Sequence, residues 1–184
     1  MEEVAFPVRV MKLCGVEILI TTNAAGGLNP DYYPGCFVVY RDHINLMPAN
    51  PLRGHNDERF GERFPDMLDV YDPMLIKLAH DAADETNTQL FEGVFVAFTG
   101  PNFETKSELR MLRALGGDII GWSSVPEVLA ARHMNMRIMG LTLVSDMSVP
   151  DTLENVDAQK VLDVAKQAVP EFVALMRAIF KKIK

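Results

Sequence analysis

Along the 184 residues, apolar positions fall into two alternating kinds of run. Short β-branched runs predict strands at residues 16–22, 36–40, 93–98, 119–121 and 138–144. Between them apolar residues recur at helical spacing, predicting helices over 8–13, 73–85, 106–115, 126–134 and 157–182. In the last of these, Val161, Val164, Ala165, Ala168, Phe172, Leu175, Met176 and Ile179 describe one buried face. Pro170 is expected to kink or split that helix. Strands alternating with helices mean an α/β architecture, a largely parallel or mixed central sheet flanked by helices. The length favours one domain over residues 1–184. A single stretch breaks the pattern. "DHINLMPANPLRGHNDERFGERFPDM", from Asp42, is too rich in Pro, Gly, Asn and charge for a strand or helix. A loop of that length is usually functional or part of an interface, and Leu52, Phe60 and Phe64 require that something packs on it.

Composition narrows the classes. No run approaches the roughly 18–20 uncharged apolar residues of a membrane span, and "MEEVAFPVRV" begins with acids where a secretory signal begins basic. A cytoplasmic protein without a membrane partner is expected. A net charge of −7 counts against nucleic acid as a partner. Two cysteines, Cys14 and Cys36, are too few for a disulfide scaffold and read as small buried hydrophobes. None of the four histidines, His43, His55, His80 and His133, has a partner at catalytic or metal-ligand spacing. No metal site is expected.

In α/β sheets, ligands bind beyond the carboxyl ends of the strands. That rule directs attention to four clusters. In "TTNAAGGLNP", residues 23–27 are either a set of bare backbone donors for an anion or a tight turn requiring positive φ at Gly26 or Gly27. In "TGPNFETKSE", Glu104 is either an acid at a helix N-terminus or a carboxylate that accepts paired N–H donors of a flat base lying on Phe103. In "GWSSVPE", a serine caps a helix or offers its hydroxyl to phosphate, and Trp122 covers a ligand or joins the core. In "TLVSDMS", Asp146 holds or gives a proton, or forms a turn.

Taken together, "FPVRV", "TTNAAGGLNP", "RDHINL", "NPLRG", "NDERFGERFPDM", "GPNFET", "GDIIGWSSVPEVLAARH" and "SDMS" resemble the trimeric-type purine nucleoside phosphorylases. The resemblance runs from about Phe6 to the C-terminus. It implies a homotrimeric α/β enzyme of purine salvage, a pentosyltransferase using inorganic phosphate as co-substrate and no metal or organic cofactor. Its reaction converts a purine nucleoside and phosphate to free base and ribose 1-phosphate. Matched residue by residue, the resemblance assigns Ala24 and Ser123 to phosphate and Phe103, Glu104 and Asp146 to the purine. Glu104 and Asp146 are thereby the implied catalytic pair. It sets Trp122, where the family usually has methionine, against the ribose, and sends Phe64 into a neighbouring subunit's site.

The chain departs from the family pattern in three ways. Asp146 stands where enzymes specific for 6-oxopurines have asparagine, which favours a methylthioadenosine phosphorylase, whereas Glu104 favours inosine and guanosine. Ala158 falls where a histidine is expected near the ribose 5′-hydroxyl. The N-terminal segment that carries much of the family's phosphate grip does not precede Met1. The expectation is therefore a chain equivalent to the C-terminal two-thirds of the usual domain, poorly active alone or a purine-binding remnant.

Overall fold

The structure, a computed structural model, describes residues 1–150 and 157–183. Five strands, β1 (Ile18–Gly27), β2 (Phe37–Asn45), β3 (Leu90–Ala97), β4 (Ile119–Gly121) and β5 (Arg137–Met147), close into a barrel in the order β1-β4-β3-β2-β5. Five helices surround it: α1 (Glu2–Leu13), α2 (Pro73–Thr86), α3 (Lys106–Ala114), α4 (Val125–His133) and α5 (Ala158–Lys182). β1–β5, β2–β3 and β3–β4 run parallel, while β1–β4 and β2–β5 run antiparallel. The sheet is mixed, as its alternating pattern allows.

Several elements differ from the sequence expectation: α1 begins at Glu2 and runs through Pro7 instead of starting at residue 8, β3 begins at Leu90, and β5 extends to Met147. β1 does not end at Thr22: it pairs with β5 as far as Gly27↔Met147, so residues 23–27 are strand, with an irregularity at Ala25/Gly26. β2 continues into the segment expected as loop, pairing with β3 through Asn45↔Ala97. A register shift between Tyr40 and Asp42 turns Arg41 and Asp42 both outward. Such a bulge resets the alternation of buried and exposed positions that would mark the strand. Finally, α5 is a single helix through Pro170. Pro170 and Lys166, whose carbonyl loses its partner, both lie exposed, so water can satisfy the freed group. The expected face of α5 is the buried one, with Ala168, Leu175 and Ile179 covered and Ala178 joining them.

The core divides around the barrel. One cluster joins Tyr40, Phe95, Ile119 and Ile138 to α1 and α4, and a second packs Phe37, Met139 and Leu141 against α2 and α5. Cys36 is buried in the first of these, and burial pushes its thiol up. Cys14, expected buried, is exposed where α1 ends. The loop after β2 is pinned to α4: Arg132 donates to the carbonyls of Asp66 and Leu68, and Asn56 Oδ1 lies 3.0 Å from His133 Nε2. Phe60 packs on the first cluster beneath the Arg9 guanidinium, whereas Phe64 stays 84% exposed.

β4 is only three residues long and needs an anchor. Asp118 supplies it. This buried carboxylate accepts from Val94 N at 3.0 Å, Arg113 at 2.8 Å, and Arg41 and Asn29 at 3.2 Å. Its carbonyl accepts from the amides of Leu28 and Asn29, so β1, β2, β3 and α3 all meet at one residue. Removing a buried acceptor leaves several donors unpaired, and two of them are charged. Asp118→Ala is expected to destabilise the fold by about 3 kcal/mol, read as a lower midpoint in urea unfolding. A change below about 0.5 kcal/mol would show that the anchor is dispensable.

Candidate functional site

Because β1 and β4 overlap by only two residue pairs, Gly26↔Ile120 and Gly27↔Ile119, the chain leaving β4 runs back alongside β1. It carries Trp122, Ser123 and Ser124 past Ala24 and Asn23. β5 flanks β1 on its other side, with Ser145 and Asp146 near its end and Ser148 just beyond it. Between β3 and α3, the segment holding Phe103 and Glu104 is tied back by the amide of Phe98 donating to Gly121 O at 2.9 Å. These pieces enclose a pocket of about 190 Å³ lined by Ala24, Ala25, Gly26, Phe103, Glu104, Ile120, Gly121, Trp122, Ser145, Asp146, Ser148 and Val161.

The glycines do not serve the tight turn offered as one expectation, and they carry a packing task besides. Neither Gly26 nor Gly27 adopts positive φ. A Cβ on Gly26 would lie 2.5 Å from Ser148 Oγ, and one on Gly27 would lie 2.8 Å from Met147 Sδ. Their missing side chains make room for β5; Gly26 lines the pocket together with Ala24 and Ala25, and of these three Ala24 is the exposed one. Gly121 works similarly, seated 2.9 Å (from its would-be Cβ) against the ring of Phe95.

Glu104 is 9% exposed, and Trp122 Nε1 donates to its Oε1 at 2.9 Å. The helix does not need this carboxylate. Thr105 is the N-cap of α3 and shares a capping box with Glu108, so the cap is complete without Glu104. The indole also tilts against Phe103, ring centroids 5.4 Å apart. Across the pocket, Asp146 accepts from Ser145 Oγ at 2.8 Å and from Ser148 Oγ at 3.4 Å. It belongs to β5 and forms no turn.

A polar relay runs beneath Ser123. Burial pushes the Tyr40 phenol well above its ordinary range, so it keeps its proton and donates to Asn23 Oδ1 at 2.9 Å. That bond fixes the Asn23 amide with Nδ2 toward Ser123 Oγ and Ser124 Oγ, each 3.2 Å away. Ser124, at the N-cap of α4, sits at φ 68° and makes no side-chain cap bond. Its hydroxyl accepts from Thr21 at 3.1 Å instead. Ser123 is exposed and free to face a ligand.

Five of the seven residues singled out from the sequence, Ala24, Phe103, Glu104, Trp122 and Asp146, therefore line one pocket, and Ser123 adjoins it. Phe64 does not: it borders a separate depression with Arg53, Arg63 and Leu129. Ala158 is exposed at the start of α5, and the residue of α5 that reaches the pocket is Val161. Ser145, Ser148, Asn23 and Tyr40 were not assigned roles from sequence, because hydroxyls and amides carry no spacing rule until the strands register. The histidines stand elsewhere, with His43 against the Tyr71 hydroxyl and His80 against Glu92. Among the described residues no three His, Cys, Asp or Glu side chains gather as metal ligands, and no helix is long and apolar enough to cross a membrane.

Over residues 1–181 the chain matches the model of the phosphorylase superfamily. It is 43% identical to purine nucleoside phosphorylase 1 of Geobacillus stearothermophilus across 99% of its own length and 66% of that protein's. With the purine nucleoside phosphorylase of Bos taurus it shares 46% identity, covering 96% of this chain and 64% of the other. The chain thus spans just under two thirds of these relatives. A crystal structure of Schistosoma mansoni purine nucleoside phosphorylase in complex with inosine superposes with a TM-score of 0.93 at 40% identity, over 98% of this chain and 66% of that one. The same enzyme's structure with adenosine also gives 0.93.

The pocket floor makes one sharp expectation. Gly26→Ala overpacks the β1–β5 contact and should cost about 1–3 kcal/mol. Ser148→Ala in the same chain removes the clashing hydroxyl and should restore most of that loss in thermal melts. Equal losses with and without Ser148 would rule out the steric account.

Proposed function

Since the chain belongs to the phosphorylase superfamily, with purine nucleoside phosphorylases as its relatives, we propose that its pocket binds a purine nucleoside for phosphorolysis. The observation that carries this reading is the buried Glu104 carboxylate beside the aromatic face of Phe103. A planar base presents exactly that pair of needs, an apolar face and N–H donors on its edge. Such a site rejects analogues lacking the donors, since its own acceptor is then left unpaired.

In the reaction, the C1′–N9 bond breaks and its electron pair leaves with the purine, while a phosphate oxygen bonds to C1′. Positive charge develops on the ribose and negative charge on the base. Glu104 grips the N–H edge, and Asp146, held by Ser145 and Ser148, takes its place at the opposite side of the base, where it holds or supplies a proton. Ser123, steadied by Asn23, and the backbone amide at Ala24 stand on the phosphate side. Preorganised donors and acceptors of this kind are usually the largest catalytic term, because they need no reorganisation as charge moves. Inosine and guanosine are the substrates Glu104 favours, and no metal is required. Phe64 belongs to this scheme through assembly: exposed on its loop and away from its own pocket, it reaches a neighbour's site in a homotrimer.

One observation favours a second reading. Asp146 is an acceptor on the base side, and an acceptor there suits a 6-amino group, as in methylthioadenosine. Competing inosine against methylthioadenosine separates the two.

The test is release of hypoxanthine from inosine with and without phosphate. Turnover should require phosphate, and Glu104→Gln should lower kcat/KM by roughly 10²-fold. Inosine binding with no phosphate-dependent cleavage would instead make the chain a purine-binding protein.

A further inference from the structure

Trp122 is the only tryptophan of the chain, and three contacts hold its ring. The indole Nε1 donates to Glu104 Oε1 at 2.9 Å. Its face leans on Phe103, with an interplanar angle of 54°. Its other flank lies over Gly100, at φ 59°, where a Cβ would come within 2.6 Å of the indole Cδ2. A side chain on residue 100 would expel the ring from this seat. With 36% of its surface exposed, Trp122 also borders the pocket directly.

The hydrogen bond divides the two oxygens of Glu104. Oε1 is already engaged by an N–H, and Oε2 takes no hydrogen bond from the described residues. A carboxylate pairs best with two parallel donors when both oxygens are open, as in fork-to-fork recognition. A neighbouring N–H occupies lone-pair space on Oε1 and draws charge from it. A ligand offering one N–H can use Oε2 at no cost. A ligand offering two adjacent donors needs Oε1 as well and must share that oxygen with the indole N–H, so its second donor is paired with an acceptor already weakened by a competing bond.

We propose that Trp122 is a positioning residue that sets base specificity: by holding Glu104 Oε1, it biases the pocket toward nucleosides with a single N–H on the recognised edge, such as inosine. Nucleosides that present a ring N–H beside an exocyclic amine, such as guanosine, are disfavoured. The inference rests on the purine reading of the same pocket. It adds to that reading a reason for discrimination between two 6-oxopurines that differ by one amino group.

The test is calorimetric titration of the whole chain with inosine and with guanosine in phosphate-free buffer, comparing the unaltered protein with Trp122→Phe and Trp122→Met. Phe keeps an aromatic ring against Phe103 without the N–H, and Met removes both. In both variants the affinity ratio should move about tenfold toward guanosine, the worth of one hydrogen bond to a charged group. Thermal melts check that each variant is folded. A merely structural role weakens both nucleosides alike and leaves the ratio within about twofold, which overturns the proposal, as does a shift in Trp122→Met that is absent from Trp122→Phe. Binding of neither nucleoside to the unaltered chain overturns the purine reading and this inference together, whereas binding of both with a fixed ratio overturns the inference alone.

Discussion

The barrel closes through two residue pairs, Gly26↔Ile120 and Gly27↔Ile119, and the pocket exists because that joint is so short. β1 must pass between β4 and β5 with almost no lateral space. A Cβ on either glycine would meet the Ser148 hydroxyl or the Met147 sulfur closer than real contacts allow, so one of these side chains would have to give way. Asp118 secures the same joint from below by binding β3, Arg41 and Arg113 through its carboxylate and the end of β1 through its carbonyl. With so brief an overlap, the chain leaving β4 turns along β1 at once and delivers Trp122 and Ser123 beside Ala24. Closure of the sheet thus brings Trp122, Ser123 and Asp146 to the candidate site, while Phe103 and Glu104 reach it from the loop between β3 and α3.

Two kinds of polar chemistry meet in this space and are kept apart. On one side, Tyr40, Asn23, Ser123 and Ser124 form a relay whose donor is fixed at its buried end, since burial keeps the Tyr40 phenol protonated. This leaves a neutral, oriented hydroxyl at Ser123, suited to an anion. On the other side, Glu104 and Asp146 are acceptors, one held by an indole and one by two hydroxyls. The proposed function sets a base with donors on its edges between them. The capping box of Thr105 and Glu108 matters here because it relieves Glu104 of any duty to α3.

Much of this was legible in the sequence, and the omissions have physical causes. The elements showed through hydrophobic period alone, and the motif residues Phe103, Glu104, Trp122 and Asp146 pointed to one pocket before any contact was known. The length of β1 did not show, because "NAAGG" has the composition of a turn. It is held as strand by its pairing with β5, which is a tertiary fact. The extension of β2 was hidden by the bulge at Tyr40/Asp42, which breaks alternation where the pattern is read. Pro170 does not split α5, and the carbonyl it frees, at Lys166, lies exposed where water can satisfy it. Ser145 and Ser148 acquired meaning only through register, when β5 brought them against Asp146 and Gly26.

The central claim is that a purine base enters between Glu104 and Phe103, in contact with the indole of Trp122. As the sole tryptophan, Trp122 reports on that event directly through its emission. Titrating inosine into the chain should change the intensity and wavelength of that emission saturably, and Glu104→Gln should abolish the response at the same concentrations. An emission spectrum that stays constant while inosine demonstrably binds would contradict the claim, because the ligand would then be occupying some other part of the molecule.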